Sequence, residues 1–167
     1  VLPYHRILSE GPSLEEAARR LAGPFRLSPR PDAASAASAV AASAAPWAFA
    51  LAEAGRGALV VEAEPAAERL LPGDAPACLR ALDTHFLHHA VLGPLLGVSE
   101  TAVRYVHSQA EAEEALARGE CRLAALLRAT PVRQIVDVAE AGESMPAKST
   151  FFHPKLPSGL VIHPLVA

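Results

Sequence analysis

The sequence predicts one α+β domain, a mixed β-sheet of about five or six strands with helices packed on it. Three observations lead there. Two helix starts are written as capping boxes, Ser13-Leu14-Glu15-Glu16 and Ser108-Gln109-Ala110-Glu111, each followed downstream by a glycine stop. Two segments alternate with a period of two, Trp47–Ala52 and Val103–His107. One run, Arg122–Leu127, is apolar without strict alternation, the pattern of a central strand buried on both faces. Strand–helix–strand occurs twice, around residues 25–52 and 102–128, and 167 residues suffice for one domain with its own core. No sequence repeat and no heptad pattern is present.

The elements follow in order. In the first capping box the Ser13 hydroxyl can bond the N3 amide while Glu16 reaches back, and the helix runs to about Ala22 with Gly23 at its C′ position. Phe25-Arg26-Leu27 reads as a short strand. Asp32 caps an Ala/Ser-rich helix that must end before Pro46. Trp47, Phe49 and Leu51 then give a strand one bulky face against Ala48, Ala50 and Ala52. Gly55-Arg56-Gly57 turns the chain, and Leu59-Val60-Val61 returns as the hairpin partner. A Pro-containing connection, 65–76, holds a short helix near Ala66–Leu71. Asp83 reads as the N-cap of a helix through Leu92, disturbed by Pro94. The second capping box opens a helix ending at Gly119. Thr130-Pro131 reads as an N-cap with Pro at N1, and Val132, Ile135, Val136 and Ala139 form that helix's apolar stripe up to Gly142. Leu160-Val161-Ile162 reads as a last strand.

Composition narrows the function. Hydrophobic residues make up 51% and charged residues 20%, which excludes a largely disordered chain. Net charge is −3, so a non-specific nucleic-acid binder is disfavoured. Cys78 and Cys121 make neither a disulfide framework nor a close-spaced metal or redox pair, and they read as reduced thiols. No basic n-region with an apolar h-region opens the chain, and the uncharged stretch 33–52 breaks at Pro46 into helix and strand. A cytoplasmic protein without a membrane span is expected. The chain opens on Val1 rather than Met and reads as a piece of something longer.

The chemistry concentrates in one stretch. About a fifth of the chain is alanine, and Arg replaces Lys almost everywhere. The only lysines, Lys148 and Lys155, lie with the only methionine, Met145, in GESMPAKSTFFHPK. Lys148, Ser149, Thr150 and Lys155 on a proline-restricted loop make an oxyanion or phosphate cradle of amides, hydroxyls and ammonium groups. The competing reading is a surface loop that packs Phe151 and Phe152 into the core. Residues 142–149 imitate the Walker A spacing, but a helix precedes them and prolines follow, opposite to the strand–loop–helix context of a P-loop.

His5-Arg6 is a second candidate anion contact, and Arg128, at the end of the expected central strand, a third. His85, His88 and His89 share a helix at i, i+3 and i+4. No third ligand accompanies the i, i+4 pair, so no metal site is expected. Asp137, Glu140 and Glu143 flank the loop as ordinary solvated carboxylates. No Ser-His-Asp or Cys-His constellation is visible.

VLPYHRIL, LDTHFLH and MPAKSTFFHPKLPSGLVIHPL, in that order and spacing, resemble the C-terminal part of a bacterial and archaeal family, domain of unknown function 1015. The M-P-x-K-S-T-x-F-x-P-K-L element is the specific part. Ala147 and His153 depart from the family pattern, which removes His153 as a catalytic candidate. Family members carry an upstream D-G-H-H-R element like the ligand motif of ParB-like proteins, some of which phosphorylate free serine, and the family tends to be encoded beside serine-biosynthesis genes. The resemblance therefore implies a C-terminal domain, 1–167, that contributes an anion- or phosphate-binding loop to a small-metabolite phosphotransferase or related enzyme. It implies a nucleotide as cofactor of the full-length protein and none held by this stretch itself. Lys148, Ser149, Thr150 and Lys155 carry over, with His5, Arg6, Asp83 and His88 as secondary positions. The expected partners are the missing N-terminal domain, a small anionic ligand and a second copy of the chain, with no nucleic acid and no membrane. The alternative is a non-catalytic module for interdomain or subunit contact.

Overall fold

The computed structural model describes residues 1–154 of the chain, and six strands in it form one sheet in the order β2-β4-β3-β6-β1-β5. The elements are β1 (His5–Leu8), α1 (Leu14–Leu21), β2 (Phe25–Arg30), α2 (Ala33–Ala42), β3 (Trp47–Glu53), β4 (Gly57–Ala63), α3 (Ala77–Arg80), α4 (Asp83–Phe86), β5 (Val103–Val106), α5 (Gln109–Ala117), β6 (Leu123–Leu127) and α6 (Val132–Glu140). The α+β domain with a six-stranded sheet is as the sequence predicts, and all five strand pairings are antiparallel. The expected strand at 160–162 and Lys155 lie outside the described residues.

Both strand–helix–strand units are split. β2 and β3 flank β4, and β5 and β6 flank β1, so each helical crossover spans an inserted antiparallel strand. β1 is a strand that the sequence reading did not contain. It is four residues long, and all four are buried. Gly57 opens β4 at φ +79, and a Cβ there would lie 2.6 Å from the Arg30 carbonyl, so the close approach of β2 requires glycine.

The large/small alternation of β3 sorts the core into two layers. Trp47, Phe49 and Leu51 face one side with Leu8, Leu123 and Phe86, while Ala48, Ala50 and Ala52 face the other with Ala36 and Val40 of α2 and Ala112, Ala115 and Leu116 of α5. The sequence expected one bulky face; both faces are buried, because the alanines let two helices lie close to the sheet. Ser13, Asp32 and Ser108 each cap their helix by accepting the N3 amide, as their spacing predicts.

Four local expectations are corrected. Asp83 is not an N-cap: Leu82 occupies that position, and the Asp83 carboxylate instead accepts from the Ala48 amide at 3.0 Å and from Arg128. The helix that follows is not regular α, since Leu87–Leu92 is wound as a π-helix. Thr130 is not the cap of α6 either: Pro131 is, and the Thr130 hydroxyl donates to the Ser149 carbonyl at 3.0 Å. The apolar stripe of α6 does not set the face that the helix buries. Val132 is 62% exposed, Val136 and Ala139 are exposed, and Val138 is the buried position, because α6 packs beside the short α3 at the sheet's end rather than across a sheet face.

Cys78 and Cys121 are free and half-buried. No helix among the described residues is long and apolar enough to cross a membrane.

Candidate functional site

Arg6 sits at the centre of the candidate site. In β1 it pairs with Ala125 on one side and Tyr105 on the other, so its side chain leaves the sheet on the same face as Leu8. That side chain is completely buried. Its Nη1 donates to the Tyr4 carbonyl at 2.6 Å, its Nη2 to the Lys148 carbonyl at 3.2 Å and its Nε to His88 Nε2 at 3.2 Å. The guanidinium also lies 5.2 Å from the centroid of the Tyr105 ring, which His88 stacks alongside. Among the described residues no carboxylate pairs with Arg6, and burial lowers its pKa to about 10.

Burial pushes the imidazoles of His5 and His88 toward their neutral forms. His5 accepts from the Leu127 amide at Nδ1, 3.2 Å, which extends the contact of β1 with β6. Burial, reinforced by the Arg6 charge, lowers His5 to about 4. His88, accepting from Arg6, is lowered to about 4 by the same two causes.

The lysine loop arrives over this cluster. Lys148 takes φ 57, a left-handed conformation uncommon for a non-glycine residue, and its ammonium lies 5.4 Å from the Tyr4 ring centroid. Its side chain belongs to an exposed residue. Ser149 turns inward: its hydroxyl donates to the Pro146 carbonyl at 2.7 Å, so the Thr84 hydroxyl donates to it at 3.1 Å. Leu2 and Phe151 exchange backbone hydrogen bonds of 2.8 and 3.0 Å. Tyr4, His107 and Phe151 form a ring cluster with centroids 5.0–5.6 Å apart. The loop is therefore fastened from β1, α4 and the start of α6 at once, with Lys148 at its outer turn.

The structure thus brings together Arg6, His88, Lys148 and Ser149, with His5 adjacent on the opposite face of β1 and Thr150 half-buried beside them. It places Asp83 and Arg128 elsewhere. Arg128 forms a bidentate ion pair with Asp83, Nε–Oδ2 2.6 Å and Nη2–Oδ1 3.1 Å. Its remaining donors go to the carbonyls of Ser43, Ala45 and Pro46. This pair fastens α4 to the entry of β3 and spends most of the Arg128 donors on the protein itself. Burial raises the Asp83 pKa, with the Arg128 hydrogen bonds opposing. Sequence reading missed Tyr4 and Tyr105; the alternation of Tyr105 with Val103 was the signal that placed it on a strand face. Among the described residues no group of three or more His, Cys, Asp or Glu is placed to hold a metal. His85 and His89 lie with ring centroids 4.3 Å apart, and His85 Nε2 is buried without a hydrogen-bond partner among the described residues.

No family model and no curated protein matches the chain. Among solved structures the chain is similar to a variant of a free serine kinase in complex with AMP. The match has 13% identity and TM-score 0.50, covering 89% of this chain and 51% of that one. It is similar to the free serine kinase in complex with AMP at 15% identity and TM-score 0.49 over the same shares. The chain spans about half the length of these structures, and at such identity the likeness is one of fold.

Proposed function

We propose that this domain supplies an anion-binding loop to a small-metabolite phosphotransferase, with Lys148 as the residue that meets the phosphate or carboxylate of the ligand. One observation carries the reading. Lys148 and Arg6, an outer and an inner cation, are joined through the Lys148 main chain, and among the described residues neither belongs to an ion pair. A cation without a carboxylate partner on a fastened loop, backed by a second one on the strand that holds the loop, suits a transferring phosphoryl group, since catalysis of that transfer rests on positioning and charge neutralisation. Arg6 holds the loop from below through the Lys148 carbonyl while His5 ties β1 to β6, and Thr150, with Lys155 carried over from the sequence motif, extends the donor set. The fold likeness to a free serine kinase in complex with AMP supports a nucleotide as the partner of the whole enzyme.

The test is calorimetric titration of the intact protein with phosphate and with adenine nucleotides. Lys148→Ala weakens binding by about 1–3 kcal/mol, the loss of one charge-assisted contact. Equal affinity for variant and parent ends this reading.

A second reading, a non-catalytic module for interdomain or subunit contact, is favoured by the exposed Val132 and Val136, one helical turn apart on α6. Under it, Val136→Glu shifts the sedimentation of the protein toward a smaller species and leaves anion affinity alone.

A further inference from the structure

We infer that the ligand of the Lys148 site is a doubly charged oxyanion of the phosphate-monoester or sulfate type, and that Arg6 contributes to its selection without touching it. The inference rests on the proposed anion site and adds the charge of what binds there.

The argument starts from the surroundings of Arg6. Among the described residues, the partners of this fully buried guanidinium are neutral: two backbone carbonyls, the His88 ring nitrogen and the face of Tyr105. His5, its chain neighbour, spends Nδ1 on the Leu127 amide. Asp83 on α4 is neutralised by Arg128. Glu111, at the start of α5, is the carboxylate whose field reaches His5. It is exposed and occupied by the His107 amide at 3.1 Å and the Ser108 hydroxyl at 3.3 Å. A buried charge without a counter-ion is costly, and proteins ordinarily pair it. Here the compensating charge is absent among the described residues, and the peptide that Arg6 holds belongs to a second cation, Lys148, on an exposed turn.

A buried cation bonded to the peptide of a second, exposed one favours a dianion over a monoanion. Lys148 makes the contact, and Arg6 acts through space. Its share of the attraction scales with the ligand's charge and is screened less because the path runs through the protein. Doubling the ligand charge doubles that share of the free energy, so the factor Arg6 contributes to a dianion's affinity is the square of its factor for a monoanion.

The experiment is calorimetry on the intact protein at constant ionic strength and mildly alkaline pH. The probes are sulfate and phenyl phosphate as dianions, with nitrate and dimethyl phosphate as monoanions, and the proteins are the parent, Arg6→Met and Arg6→Lys. The parent binds the dianions about ten-fold or more tightly than the monoanions. Arg6→Met lowers dianion affinity by about ten-fold and monoanion affinity by about three-fold, and Arg6→Lys keeps the parent's preference. Equal affinity of the parent for both classes, or an equal loss for both in Arg6→Met, overturns the inference. If Arg6→Met does not fold, the parent series and Arg6→Lys decide it alone. Failure of the underlying site reads differently, because Lys148→Ala then leaves every anion's affinity unchanged.

Discussion

Arg6 Nη2 donates to the carbonyl oxygen of Lys148 at 3.2 Å, a bond between residues 142 positions apart in the chain. A residue of an interior strand thereby fixes the outermost turn of the loop that carries the exposed ammonium. Arg6→Met leaves three acceptors, the Tyr4 and Lys148 carbonyls and His88 Nε2, without their donor. Urea denaturation is expected to show a loss of about 1–3 kcal/mol. A variant more stable than the parent would mean that desolvating the guanidinium outweighs its hydrogen bonds.

Asp83→Ala removes the counter-ion of Arg128 while the guanidinium stays in place beneath Ser43, Ala45 and Pro46. The expected cost is about 3 kcal/mol, from an uncompensated part-buried charge and a lost acceptor for the Ala48 amide. Chemical denaturation measures it, and a change below about half a kcal/mol would contradict a clamp between α4 and β3.

Stability falls with acid before the carboxylates titrate. His5 and His88 have folded pKa values of about 4 against 6.5 unfolded, so between these values the unfolded chain binds more protons. Their stabilisation is complete above 6.5 and is lost as pH drops through that window, by up to about 1.4 kcal/mol per pH unit for each histidine. Asp83, raised above its ordinary value, opposes this at the acid end. Denaturation midpoints measured across the window follow this slope, and His88→Gln removes about one proton's worth of it.

The alanine face of β3 tolerates no growth. Ala50 is fully buried in the layer that holds α2 and α5, and Ala50→Leu costs about 1–3 kcal/mol by pushing those helices off the sheet. Leu51→Ala on the opposite face costs about 2–5 kcal/mol by leaving a cavity. Thermal unfolding of the two variants compares overpacking with underpacking across one strand.

Sequence legibility tracked how local each cause was. The caps at Ser13, Asp32 and Ser108 need only three residues, and all three stand where their spacing put them. Asp83 and Thr130 have the same cap chemistry, but distant partners claim them, Arg128 and the Ala48 amide for one and the Ser149 carbonyl for the other. The alternation in β3 was legible; that the alanine side is also buried depends on helices that no period encodes. The lysine loop and His5-Arg6 were both marked by residue type, yet nothing in either segment says that they meet. That encounter is set by β1, whose four residues are too short a run to carry a strand signal and whose partners lie about a hundred positions away.

The placement of β1 also governs how the chain is made. Its partners are Val103–Val106 and Leu123–Leu127, so a nascent polypeptide carries His5–Leu8 unpaired until both later strands have left the ribosome. At ordinary synthesis rates that interval is roughly 5–20 s. The hairpin of β3 and β4 needs no later segment to pair, whereas His5–Leu8, with its unpaired backbone and its Ile7 and Leu8 side chains, waits for its slot between β5 and β6.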